Sequence, residues 1–170
     1  MYDKNILVIG LGNPILGDDG VGWRIVKKVR SEIKSTSSKW NQNPRIVDFD
    51  TLSLGGIGLM EVMIDYNFAI IVDAMRTHTK SIGEVTTFTL DDFPTSIKSH
   101  TGSSHDMSLD TAISMGRRMG FKIPKKIFIV GVEADSDYVF SEELTPQVEK
   151  AIPEATKAVI EIVKELENDL

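Results

Sequence analysis

Three layers, with helices on both faces of a mostly parallel, mixed five-stranded sheet, make up the α/β architecture that this sequence predicts. The first reason is a set of unbroken apolar runs, at residues 6–9, 68–72 and 127–132, of the kind carried by strands buried on both faces. A second is that stretches with apolar side chains at helical spacing alternate with these runs. The third is the resulting order, strand, helix, strand, helix, strand, strand, helix, strand, helix, which calls for parallel pairing through crossovers. At 170 residues the chain reads as one domain over residues 1–170, long enough to bury about 70% of its unfolded surface.

Ile6, Leu7, Val8 and Ile9 form the first strand, and a glycine-rich stretch, GLGNPILGDDGVG at residues 10–22, follows it. Gly10 and Gly12 let the backbone turn sharply, while Gly20 and Gly22 let the next helix approach the strand. That helix starts near Asp19, lines one face with Val21, Ile25, Val26 and Val29, and fades by Ile33. A polar loop at 35–43 leads to a second strand at 45–49. A turn with Gly55, Gly56 and Gly58 precedes a short helix at 59–64, and the third strand, 68–72, ends at Asp73. Residues 84–90 alternate as a half-exposed edge strand does, and predict an antiparallel hairpin with the neighbouring strand. After a Ser/Thr-rich loop at 95–104, a helix over 106–119 carries Leu109, Ala112, Ile113 and Gly116 on one side. Ser103 and Asp106 stand at capping-box spacing before it, and Gly120 ends it. The last strand, 127–132, is followed by a helix at 146–166 with Val148, Ala151, Ala155, Val159, Ile160 and Val163 inward and a kink or restart at Pro153.

Lys and Arg number 19 against 25 Asp and Glu, a net charge of −6 that repels nucleic acid and anionic membranes. Cysteine is absent, which excludes disulfides, thiol nucleophiles and thiolate metal sites and leaves imidazole and carboxylate as metal ligands. No apolar stretch approaches the 18 residues or so of a membrane span, and no assembly stripe stands out. A cytoplasmic monomer is the expectation.

In open α/β sheets a ligand sits outside the carboxyl ends of the strands. Asp18 and Asp19 follow the first strand, Asp73 ends the third, and His105 opens the helix after the long loop. Two carboxylates and an imidazole suit nickel, zinc or manganese without choosing among them. The positive end of a helix dipole disfavours imidazolium and so keeps a His105 ring nitrogen free to bind metal. Each residue also has a plainer reading: Asp18 as a helix cap, Asp19 as a first-turn charge, Asp73 as a turn former. His78 and His100 read as solvated loop histidines, and Ser103 and Ser104 as caps rather than nucleophiles. A dinucleotide site is excluded, because G-x-G-x-x-G needs glycine where Ile15 stands, and two carboxylates repel pyrophosphate.

Together, GLGNPILGDDGVG, IIVDAM (70–75), SSHDMSL (103–109) and IFIVGVEADSDYVFSEELTPQVEKAI (127–152) resemble the maturation endopeptidases of nickel-iron hydrogenases, over about residues 6–163. The resemblance implies a phosphorylase/hydrolase-like fold. It also implies a metal-dependent peptide hydrolase that activates another enzyme, by removing the C-terminal extension of a hydrogenase large-subunit precursor after nickel insertion. In that family the positions matching Asp19, Asp73 and His105 contact the metal, and the nickel arrives with the precursor as the recognition signal. The partner is then the nickel-loaded precursor, and the isolated protein is empty or holds an adventitious divalent cation. One departure is DFDTLSLGGIGLM (48–60), whose Gly55 and Gly56 fall later than the family's Asp-Gly-Gly-Thr type turn. Two other readings stand beside this one. A nickel-sensing module would dock on an immature metalloprotein through the same residues without cutting it. GLGNP also resembles the opening of bacterial peptidyl-tRNA hydrolases, but Ile15, Leu16, Asp18 and Asp19 stand where those enzymes carry a tyrosine and then a His-Asn pair.

Overall fold

Alternation along a strand buried on both faces explains how one apolar run serves two cores. In the computed structural model, which describes residues 4–36, 47–92, 108–135 and 140–168, the first run lies in β1 (Lys4–Leu11). Ile6 and Val8 enter one hydrophobic cluster, Leu7 and Ile9 the other. The remaining strands are β2 (Val47–Leu52), β3 (Tyr66–Met75), β4 (Val85–Thr89) and β5 (Lys126–Glu133), arranged as β2-β1-β3-β5-β4. β1 pairs parallel with β2 and β3, and β3 parallel with β5, while β4 runs antiparallel to β5 at the edge. Helices α1 (Val21–Thr36) and α4 (Pro146–Asn168) supply Ile25, Val29, Val148 and Val159 to the core on one face. On the other, α2 (Gly56–Val62) and α3 (Leu109–Arg118) supply Leu59, Met60, Ala112 and Ile113. This is the predicted three-layer α/β sandwich with a mixed five-stranded sheet.

Tertiary context moved several boundaries. β2 continues past the predicted 49 to Leu52, because its register on β1 runs that far, while the predicted start at 45 lies outside the described residues. An edge strand keeps one face wet, so Asp48 and Asp50 stay exposed while Val47 and Phe49 pack on the α1 and α4 side. β3 does not end at Asp73 but continues to Met75, since β5 pairs with it that far. β4 is not part of a hairpin: its partner is β5, and α3 intervenes along the chain. Helix α1 continues through Ser35, and α2 begins at Gly56, ahead of the expected 59. At the start of α3 the cap is Ser108, which accepts from the Thr111 backbone N–H at 3.3 Å. The predicted box at Ser103 and Asp106 and the loop at 95–104 lie outside the described residues. Pro153 does not restart α4, which is one helix from Pro146 to Asn168. The bond it forgoes belongs to the Glu149 carbonyl near the exposed first turn, where water can replace it. Ile162 and Leu166 join the predicted inward face, whereas Ile160 is half-buried. Among the described residues no helix is long and apolar enough to cross a membrane.

Candidate functional site

Close approach of backbone to backbone builds the acidic end of the sheet. Gly22 opens α1 against the strand ends: a Cβ there would lie 2.4 Å from the Val72 carbonyl oxygen and 2.5 Å from that of Leu11. Its hydrogen therefore lets the 3-10 turn Gly17–Gly20, which carries Asp18 and Asp19, sit directly over β1 and β3. Gly12 has a φ of 112°, and a Cβ on it would fall 1.8 Å from the Asp19 backbone oxygen. Gly10 serves packing rather than turning, since its absent Cβ would strike the Gly22 carbonyl oxygen at 2.5 Å.

Asp19 follows from this geometry. Its Oδ2 accepts a hydrogen bond from the Asn13 backbone N–H at 2.5 Å, which orients the carboxylate within the loop, and the side chain stays partly exposed. Asp73 comes immediately after Val72 on β3, opposite Gly131 of β5, and is also partly exposed. Burial in the sheet pushes its carboxyl group up to about 7, and the charge of Asp19 pushes in the same direction. A hydrogen bond from the Ala74 backbone N–H pulls the other way. The two carboxylates, 54 positions apart in number, thus lie within electrostatic reach at the carboxyl ends of neighbouring strands. His105 lies outside the described residues. Among those residues no group of three or more His, Asp or Glu side chains gathers as a metal would need.

The adjacent Asp18 has a different task. It is buried, and its two oxygens accept from the backbone N–H of Thr145 at 2.6 Å and the Thr145 hydroxyl at 2.8 Å. Its capping role is real, but it serves the start of α4 rather than of α1, and no side chain caps the turn that contains it. Glu133 carries no sequence signal of its role, being the buried end of β5 rather than part of the following loop. Oε1 accepts from the backbone N–H groups of Thr77 and His78 at 2.8 and 2.9 Å, and Oε2 from the Thr77 hydroxyl at 2.8 Å. This carboxylate pins the β3–β4 loop. His78 is exposed as expected, with a φ of 56°.

Two carboxylates within electrostatic reach at the carboxyl ends of parallel strands favour a nearby cation or protonation of one of them, because either relieves their mutual repulsion. The fold is an open α/β sheet, a class in which ligands bind at the carboxyl ends of the strands, where these two carboxylates stand. Residues 24–162 match the family described as HycI, hydrogenase maturation protease, and the chain belongs to that family. It is 29% identical over 163 residues to the hydrogenase 2 maturation protease of Escherichia coli strain K12, covering 94% of this chain and 91% of that one. Over 159 residues it is 26% identical to a putative hydrogenase maturation protease of Methanocaldococcus jannaschii, covering 89% and 94%. The structure superposes on the hydrogenase maturating endopeptidase HybD from Escherichia coli with a TM-score of 0.74 and 28% identity, over 95% of this chain and 93% of that one.

Proposed function

We propose that this protein is a cytoplasmic endopeptidase that removes the C-terminal extension of a nickel-iron hydrogenase large-subunit precursor once nickel has been inserted. The observation that carries the reading is the pairing of Asp19 with Asp73 at the end of the sheet, in a chain of the hydrogenase maturation protease family. In this proposal the nickel is part of the substrate, and Asp19, Asp73 and His105 are the groups that meet it. Fixed by the Asn13 N–H, Asp19 presents a carboxylate without reorganisation. Asp73 sits where a proton taken from water or delivered to the leaving amine can be held, the role of a general base and acid.

The test is incubation of the purified chain with nickel-loaded precursor, read by the mass of the large subunit. Wild type is expected to shorten it, while Asp19→Asn and Asp73→Asn, folded by circular dichroism, process it at least about 100-fold more slowly. A stable complex with no change in mass would identify a nickel-sensing docking module instead. Processing at the wild-type rate by Asp19→Asn would remove that residue from the chemistry.

A further inference from the structure

Two residues along β3 from Asp73, at Met75, begins a cavity of about 290 Å³ to which the sequence assigns nothing. We infer that it receives a single uncharged, apolar side chain of the precursor, one or two residues from the bond that is cut. This inference rests on the endopeptidase reading and adds to it a determinant of specificity.

Position is the first argument. Asp73 and Met75 share a face of β3, so the Met75 wall of the cavity begins roughly 7 Å along the strand from Asp73. An extended peptide advances by that distance in two residues. Gly131 also lines the cavity and is the register partner of Asp73, so the same rung of the sheet supports both the carboxylate and the opening.

Composition is the second. Met75 and Phe88 give an apolar floor, and the hydroxyl-bearing side chains Thr77, Thr79 and Thr86 line the remainder. Gly131 makes room for the Met75 side chain that forms this floor: a Cβ on it would fall 2.0 Å from the Met75 sulfur, so any side chain there would displace Met75 from its place in the wall. Of the charged groups in the wall, Lys80 is paired with an opposite charge and the two carboxylates are held by neutral donors. Lys80 pairs with Glu84 at 2.6 Å, Asp92 accepts from the Thr89 hydroxyl at 2.5 Å, and Glu133 holds Thr77 and His78. Asp92 and Glu133 keep their negative charge under these hydrogen bonds and repel an acidic side chain, and a basic one would lose its water against methionine and phenylalanine while both carboxylates stay turned toward their own donors, whereas an aliphatic one exchanges water for apolar contact.

Size is the third. Pockets for cofactors and drug-sized ligands occupy about 300–1,000 Å³, so this volume falls at the bottom of that range and has room for one large side chain with water beside it.

Thr86→Phe fills the cavity from β4, while Thr87→Phe adds the same bulk at the next, exposed position of that strand. With nickel-loaded precursor, Thr86→Phe is expected to raise KM about 10- to 200-fold with kcat near wild type, and Thr87→Phe to change neither. Shortening to alanine an apolar residue next to the cleaved bond should then recover part of the loss in the Thr86→Phe enzyme. Should Thr86→Phe not fold, Met75→Ala provides the complementary reading: the widened cavity should accept a larger precursor side chain at that one position. A folded Thr86→Phe with wild-type KM overturns the subsite and leaves the protease reading standing. So does Met75→Ala with unchanged side-chain preference. Wild type that does not shorten the precursor overturns the protease reading itself, and the subsite with it.

Discussion

Asp73 shows how one side chain records its surroundings. An unfolded chain ionises this carboxyl near its usual 3.8, but in the fold burial and the Asp19 charge raise it to about 7. Between those values the folded state holds a proton that the unfolded state has released. The contribution of Asp73 to stability is therefore complete below about pH 4, falls as pH rises, and is lost above about 7. The metal-free Asp73→Asn chain should accordingly melt above wild type at pH 8, with a difference that narrows toward pH 4. Thermal melts across that range check the sign, and a difference independent of pH would contradict it. Neighbouring Asp18 and Asp19 illustrate the limit of reading residues alone. Both stand in the same turn with the same chemistry, yet one is buried on Thr145 and the other lies within electrostatic reach of Asp73. Nothing within a few residues of either distinguishes them.

At the scale of elements, sequence pattern located the five strands and four α-helices of the described residues but not the 3-10 turns at Gly17–Gly20 and Leu90–Asp92, because burial on one face or two acts through nearest neighbours. Their ends were decided by partners. β3 passes Asp73 only because β5 continues beside it, and β4 pairs with β5 rather than forming a hairpin. The glycines divide in the same way. At Gly22 a methyl group would meet two backbone carbonyls, which have little freedom to move. Gly22→Ala should cost about 3 kcal/mol or more and separate α1 from β3. Gly58 lies within α2, where an added Cβ would make only ordinary contact with Leu54 at 3.8 Å. Gly58→Ala should therefore stabilise the fold by about 0.5–1 kcal/mol. Urea unfolding of both variants tests the pair, and equal effects would show that the approach at Gly22 is not what demands glycine.

Across the whole molecule, the contact that joins the first turn to the last helix is Asp18 with Thr145, residues 127 positions apart. Its two hydrogen bonds hold the glycine-rich turn and the start of α4 over the same end of the sheet. Asp18→Ala leaves the Thr145 N–H without its acceptor and should cost about 2–3 kcal/mol, with Thr145→Val costing about 1 kcal/mol. Precursor processing by Asp18→Ala should persist at temperatures where the variant remains folded, unlike that of Asp19→Asn. Denaturation midpoints combined with a processing assay distinguish the two carboxylates.

The sequence by itself determined the layered α/β fold, the order of its elements and the arrival of acidic residues after the first and third strands, since hydrophobic pattern and glycine placement act locally along the chain. Only the tertiary structure decided which carboxylate anchors α4 and which comes within electrostatic reach of Asp73, that Glu133 is buried beneath the β3–β4 loop, and that a cavity lies against Met75, Phe88 and Gly131. Those outcomes depend on groups brought together from distant parts of the chain, and local chemistry does not name its distant partner.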